Sequence, residues 1–236
     1  MEIRTVPFLG EDLAATMAPS TAFMRFLLLA LLLIIIPKTA LAERHCYYHR
    51  GIERWRIKTT MPNPEAKAIK LPLVSLLSAK NPTLSRATLR KMLSERLKYT
   101  FKFKSDGGAI ALREGDKILV HGRILSMSCE ADGDIHLSIY DTDRAKCVIM
   151  EVPNPGQIHE SGLKRLIENA RQKILYFLSN GIPNQRLTFE GQLFIDDDHL
   201  TRAQMGKVGT PEAGGRRGRH DCAVNVWEIH PVTLIE

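Results

Sequence analysis

Aromatic residues are scarce, at 6% of the chain. Proteins that grip single-stranded nucleic acid by stacking need exposed rings. Tyr140, Phe194 and Trp227 are available for that, but several of them suit a core equally well, which weighs against a stacking binder. Cysteine is sparse too. Cys46, Cys129, Cys147 and Cys222 stand far apart, which excludes the close cysteine pairs of a zinc knuckle. No Walker loop, dinucleotide fingerprint, or serine or cysteine nucleophile motif occurs, so those chemistries have no support. The apolar run Phe26–Ile36 is too short for a permanent bilayer span.

That run does suit export. Arg25 precedes it, and Lys38 and Ala40-Leu41-Ala42 follow, giving a charged start, a short apolar region and an A-x-A cleavage signal. Residues 1–42 therefore read as a signal peptide cut after Ala42, with Met17 and Met24 as alternative starts. The expected location is periplasmic or secreted, with no permanent membrane anchor after processing. An oxidising compartment favours disulfides. Four cysteines allow three pairings, and Cys129–Cys147 is disfavoured because it would join distant strand ends. The removed part balances Arg4, Arg25 and Lys38 against Glu2, Glu11 and Asp12, so the net charge of +7 survives processing. A basic exported protein suits nucleic acid or another polyanion as partner. Nothing in the sequence fixes an oligomeric state.

The mature chain divides at about residue 117. In the first part, 43–116, Glu53–Thr60 alternates and reads as a strand, as does Tyr99–Lys104 with Ala109–Leu112 as its partner. Leu71–Ala79 and Ala87–Leu97 read as helices, the second capped by Ser85. Arg54, Arg56 and Lys58 would share one strand face, and Lys102 and Lys104 another. Such faces are either solvated or line a phosphate groove.

The second part has a definite order. Ile118–Cys129 reads as a strand bent at Gly122. After the Asp132-Gly133 turn, Ile135, Leu137 and Ile139 alternate with Asp134, His136 and Ser138. Lys146–Val152 is a third strand. Leu163, Leu166, Ile167, Ala170, Ile174, Phe177 and Leu178 then recur at helical spacing up to Asn180-Gly181. Leu187–Ile195 and Ala223–Ile235 are the last strands. Strand, strand, strand, helix, strand, strand is the order of an OB-fold, a five-stranded Greek-key barrel. The expected fold is α+β: an OB-like β-barrel over 117–236 with a helix after its third strand and an N-terminal α/β elaboration over 43–116. The Gly- and Arg-rich segment 200–221 reads as a mobile loop.

Acids and imidazoles gather on these strands: Asp134 with His136, Asp196 and Asp198 with His199, and Glu228 with His230, while Glu151 ends the third strand. Such residues can hold a divalent metal ion and move protons. The metal ligands expected are Asp134, His136, Asp196, His199, Glu228 and His230. The expected catalytic residues are His136, Glu151, Glu228 and His230. Lys58, Arg216, Arg217 and Arg219 would bind substrate phosphates. In a closed barrel these residues converge, with His136, His230 and one of Glu151, Glu228 or Asp196 near one ion.

The motifs D-G-D-I-H-L, E-V-P-N-P, F-I-D-D-D-H and W-E-I-H-P-V-T resemble those of a group of small exported bacterial proteins of unassigned function, over roughly Trp55–Glu236. More distantly, Asp132-Gly133-Asp134 and Glu151-Val152-Pro153 resemble acidic positions of staphylococcal-nuclease-like domains. That resemblance implies an OB-fold whose carboxylates hold calcium beside a scissile phosphate. The chain departs from the pattern: Ile135 stands where that family has threonine, the two catalytic arginines have no match, and the histidines are additional. Those departures suit a transition metal better than calcium. The resulting expectation is a metal-dependent hydrolase of phosphodiesters. The alternatives are a non-catalytic OB module binding nucleic acid or oligosaccharide, and a structural envelope protein.

Overall fold

The computed structural model describes residues 54–92, 94–105, 107–130, 132–196, 200 and 222–236. Residues 1–42, expected as a signal peptide, Cys46, Asp197, Asp198, His199 and the arginines Arg216, Arg217 and Arg219 of the expected loop 200–221 lie outside the described residues. The chain forms helix α1 (Trp55–Lys58), strand β1 (Ile69–Lys70), α2 (Leu73–Leu77) and α3 (Arg86–Met92). Strands β2 (Thr100–Ser105), β3 (Gly108–Arg113), β4 (Lys117–Cys129), β5 (Ile135–Tyr140) and β6 (Cys147–Val152) follow. Helix α4 (Ser161–Asn180), β7 (Leu187–Ile195) and β8 (Ala223–Ile235) complete it.

This is an α+β protein built on a six-stranded sheet in the order β1-β4-β5-β6-β8-β7, with a further pairing of β7 to β4. From β4 the pairings therefore run through β5, β6, β8 and β7 and return to β4. The β6–β8 pair is parallel, while β4–β5, β5–β6, β7–β8 and β4–β7 are antiparallel. Besides the short β1, β4 serves two neighbours in turn. Residues Lys117–Gly122 pair with β7, and Arg123–Cys129 pair with β5. The changeover falls at Gly122, where a Cβ would come within 2.5 Å of Ile139 Cγ2 and 2.9 Å of Leu73 Cδ2. Only glycine lets β5 and α2 approach the strand this closely.

Strand alternation sets the core. Ile135, Leu137, Ile139, Val148, Met150, Val152, Leu193, Ile195, Trp227 and Ile229 belong to one buried cluster with the α4 stripe Leu163, Ile167, Ala170 and Ile174. The β2–β3 hairpin, a separate two-stranded sheet, reaches this core through Phe101 and Phe103, whose rings meet Trp227 edge-on at 4.8 and 5.0 Å. Trp227, Phe194 and Tyr140 are all buried. None of them is a stacking platform, and truncating one such ring costs about 3–5 kcal/mol.

Glu53–Thr60, expected as a strand, holds a helical turn instead. Lys58 N–H donates to the Arg54 carbonyl at 3.0 Å, and Thr60 Oγ1 donates to the Arg56 carbonyl at 2.7 Å. The cause is tertiary. Arg54, with φ 51°, sends its guanidinium into the protein, where Nη1 meets Glu114 Oε1 and the Ile195 carbonyl, both at 2.8 Å. An anchored Arg54 outweighs a weak local strand preference. Arg54 and Lys58, four residues apart, then share the helix face turned to the sheet, while Arg56 is exposed. Lys102 and Lys104 are exposed as well, on a solvated strand face.

Cys147 and Cys222 form a disulfide. It ties the start of β6 to the residue before β8, and the Cys147 N–H donates to the Cys222 carbonyl at 2.8 Å. Cys129 is disulfide-bonded too.

Candidate metal centre

Residues that alternate with the core on β5, β6, β7 and β8 share the opposite face of the sheet. On it stand His136, Glu151, Phe194, Glu228 and His230. Register brings them together: His136 sits opposite Glu151, Ile149 opposite Glu228, and Phe194 opposite Glu228. α1 overlies this face. Lys58 Nζ reaches Glu151 Oε2 at 3.4 Å, and the Arg54 guanidinium lies 4.8 Å from the Phe194 ring centre.

Asp134 enters from the turn before β5. Its Oδ1 accepts the Asn154 N–H at 2.8 Å. The buried Arg171 of α4 holds both approaches to the site, donating to the Gly133 carbonyl at 2.9 Å and to the Val152 and Pro153 carbonyls at 3.4 Å. One guanidinium thus fixes the turn that carries Asp134 and the strand end that carries Glu151.

Two groups of donors result. Asp134, Glu151 and His230 offer ligand atoms all within 4.8 Å of one another, and so do His136, Glu151 and Glu228. Glu151 belongs to both. Within the first group, His230 Nδ1 is 2.5 Å from Glu151 Oε2 and its Nε2 is 3.6 Å from Asp134 Oδ2. Within the second, His136 Nε2 is 3.9 Å from Glu151 Oε1, while its Nδ1 meets Glu130 Oε1 at 3.3 Å. His230 is fully buried, with Glu151 as the close partner of its Nδ1. Asp134, Glu151 and Glu228 are buried, and His136 is half-buried. A buried group of carboxylates and imidazoles of this kind can hold a metal ion.

The electrostatics describe a cation-shaped deficit. Burial, then the charges of Glu151 and Asp132, push the Asp134 carboxyl from its ordinary 3.8 up to about 7. Burial pushes Glu228 well above its ordinary range, and the Asp196 and Glu151 charges and a hydrogen bond to Asp196 push it further. Burial would also raise Glu151, but Lys58, His230 and His136 together hold it well below the usual carboxylate range. Burial lowers the His230 imidazole, and Glu151 offsets part of that. Burial opposes a charge on His136 too, yet the Glu130 hydrogen bond and the Glu151 charge raise it. Burial disfavours the Lys58 ammonium, which Glu151, Glu228, Asp134 and Asp196 nevertheless keep charged. Protons on Asp134 and Glu228 thus do the neutralising that a bound cation would do.

Of the residues expected from sequence, Asp134, His136, Glu151, Glu228 and His230 come together, with Lys58 against them. Asp196 stands at the end of β7, hydrogen-bonded to Glu228 and outside both donor groups. His136 and His230 fall in different groups rather than around one ion. Asp132 enters the sequence reading only through the D-G-D resemblance, and Glu130, Asn154 and Arg171 are not among the expected site residues. Arg171 carries a readable signal, an arginine beside the apolar stripe Ile167, Ala170 and Ile174. A groove of about 780 Å³ opens elsewhere, with Arg56, Arg96, Lys98, Arg113 and Lys117 in its walls and none of the donors. No protein-family model, curated protein or solved structure matches the chain.

Proposed function

We propose that the chain is an exported, divalent-cation-dependent hydrolase whose centre is the Asp134–Glu151–His230 group, acting on phosphodiesters. The observation that carries this reading is His230. It is a fully buried imidazole with carboxylate oxygens on both sides, Glu151 Oε2 at 2.5 Å from Nδ1 and Asp134 Oδ2 at 3.6 Å from Nε2. An imidazole and two carboxylates gathered this closely away from water form a donor set for a metal ion, and a cation among them would neutralise the buried carboxylates. Such a cation would activate water and polarise a phosphoryl oxygen. His136 lies on the half-buried side of the cluster, the side from which a substrate would approach.

The sheet supports an OB-type barrel: a closed circuit of five pairings, a parallel third-to-fifth pair and a helix after the third strand. OB-folds bind ligands on their second and third strands and on the loops after the first and fourth. Here those strands carry His136 and Glu151, the first loop carries Asp132 and Asp134, and the fourth carries Arg216, Arg217 and Arg219. Export is supported by the Cys147–Cys222 disulfide, which needs an oxidising compartment.

The burial of Asp134, Glu151, Glu228 and His230 favours a second reading, a cation held for structure or sensing without catalysis. One experiment separates them. The mature protein is purified without chelator, its metal content measured, and its hydrolysis of bis(p-nitrophenyl) phosphate and of single- and double-stranded nucleic acid assayed with and without EDTA. Chelator-sensitive hydrolysis that disappears in His230→Ala supports the hydrolase. Bound metal without hydrolysis supports the second reading, and absence of bound metal under all loading conditions refutes both.

A further inference from the structure

The two donor groups share one residue, and that residue is a carboxylate. We propose that the cluster is a two-cation centre bridged by Glu151, with one ion held by Asp134 and His230 and the second by His136 and Glu228. This rests on the metal reading above and adds its stoichiometry and geometry.

The five donors do not close as one group. They close as two, each with mutual distances within 4.8 Å, and the imidazoles are divided between them. The two oxygens of Glu151 are divided likewise. Oε2 faces His230 at 2.5 Å, and Oε1 faces His136 at 3.9 Å. A carboxylate that turns each oxygen to a different ligand set is arranged to bridge, and bridged pairs hold their ions about 3.5–4 Å apart. Each half also has the mixed nitrogen and oxygen donors that suit a transition metal.

Neighbouring groups orient the ligands rather than complete either set. The Asn154 N–H fixes Asp134 Oδ1 and leaves Oδ2 toward His230. Glu130 takes the Nδ1 side of His136 and leaves Nε2 toward Glu151. Metal-binding histidines are commonly oriented in this way by a carboxylate on the far nitrogen.

The test is stoichiometry with a spectroscopic signature. Metal-free mature protein is titrated with Mn²⁺ by calorimetry, and the loaded protein is examined by low-temperature electron paramagnetic resonance. The expected result is two ions per chain and the multiline signal of an exchange-coupled manganese pair. Asp134→Asn and Glu228→Gln, both close in shape to the native residues, should each halve the stoichiometry and leave an uncoupled single-ion signal. Glu151→Gln should abolish the coupling. Circular dichroism confirms that each variant is folded, and a variant that is not folded is replaced by His230→Gln or His136→Gln for the same half. One ion per chain in the native protein, with Glu228→Gln without effect, overturns the two-cation centre while leaving the metal reading intact. No bound Mn²⁺, Zn²⁺ or Co²⁺ overturns both.

Discussion

Asp134→Asn in the metal-free protein isolates the electrostatic conflict at the site. Asp134 is buried, and its carboxyl is raised from 3.8 to about 7 by burial and by the charges of Glu151 and Asp132. A carboxyl raised in the folded state binds its proton more tightly there than in the unfolded chain. Its stabilising contribution is present below about pH 4 and is lost as pH rises to about 7. The gap between 3.8 and about 7 corresponds to a loss on the order of 4 kcal/mol above that range. Asparagine keeps the oxygen that accepts the Asn154 N–H and cannot ionise. The variant should therefore match the native protein near pH 4 and exceed it increasingly up to about pH 7. At 2–4 °C per kcal/mol for a chain of this size, the excess amounts to about 10 °C in Tm at pH 8. Thermal unfolding followed by circular dichroism in chelator, at intervals from pH 4 to 8, measures it. With saturating divalent cation the order should reverse, because the native side chain is then an ionised ligand and asparagine is a poor one. A Tm difference that is flat with pH, or that grows toward acid, would refute the reasoning.

Other expectations follow from particular contacts. Lys58→Met removes the ammonium 3.4 Å from buried Glu151 and should lower metal-free stability by about 3 kcal/mol, with saturating divalent cation restoring most of it in a denaturant titration. Gly122→Ala places a methyl group 2.5 Å from Ile139 Cγ2 and should cost about 1–3 kcal/mol by overpacking, read as a lower urea midpoint with an unchanged slope. Replacing Cys147 and Cys222 by serine opens a loop of sequence separation 75 and should cost about 4 kcal/mol on the chain-entropy account. In that variant the loss should appear in equilibrium unfolding under oxidising conditions.

Much of the sheet was legible because its strands are long and regular. Strands β7 and β8 match the apolar runs Leu187–Ile195 and Ala223–Ile235, and α4 begins at Ser161 and stops at Asn180-Gly181, as the helical stripe and its cap residues predict. Alternation on β5 also put His136 on the polar face, where register brings it opposite Glu151. What was not legible depends on long-range contacts. α1 is four residues long, too short for periodicity to show, and its conformation follows from the Arg54–Glu114 pair, sixty positions apart in the chain. The two-residue β1 lies parallel to β4 and has no pattern of its own. The division of the donors into two groups around Glu151 depends on the stagger of β6 and β8, whose register shifts between Cys147 and Ile149. Spacing along one strand cannot reveal such a shift.

The same molecule shows how this chain treats buried charge that serves structure. Arg54 and Glu114 are both inaccessible and paired with each other and with the backbone: a 2.8 Å ion pair, the Ile195 carbonyl on the guanidinium, and the Leu97 N–H on Glu114 Oε2 at 2.7 Å. Nothing in that pair calls for a ligand. The cluster a few residues away on the same sheet is built differently. Burial, and then the charges of neighbouring carboxylates, raise the Asp134 and Glu228 carboxyls, and two imidazoles and one ammonium are gathered among the acids. Apolar residues at these positions would make a more stable protein. A site that departs from the satisfied pattern found elsewhere in the same fold is where function is expected to lie. Here the departure is a set of three buried carboxylates around two imidazoles, and a divalent cation is the simplest ligand that could replace the protons on the raised acids.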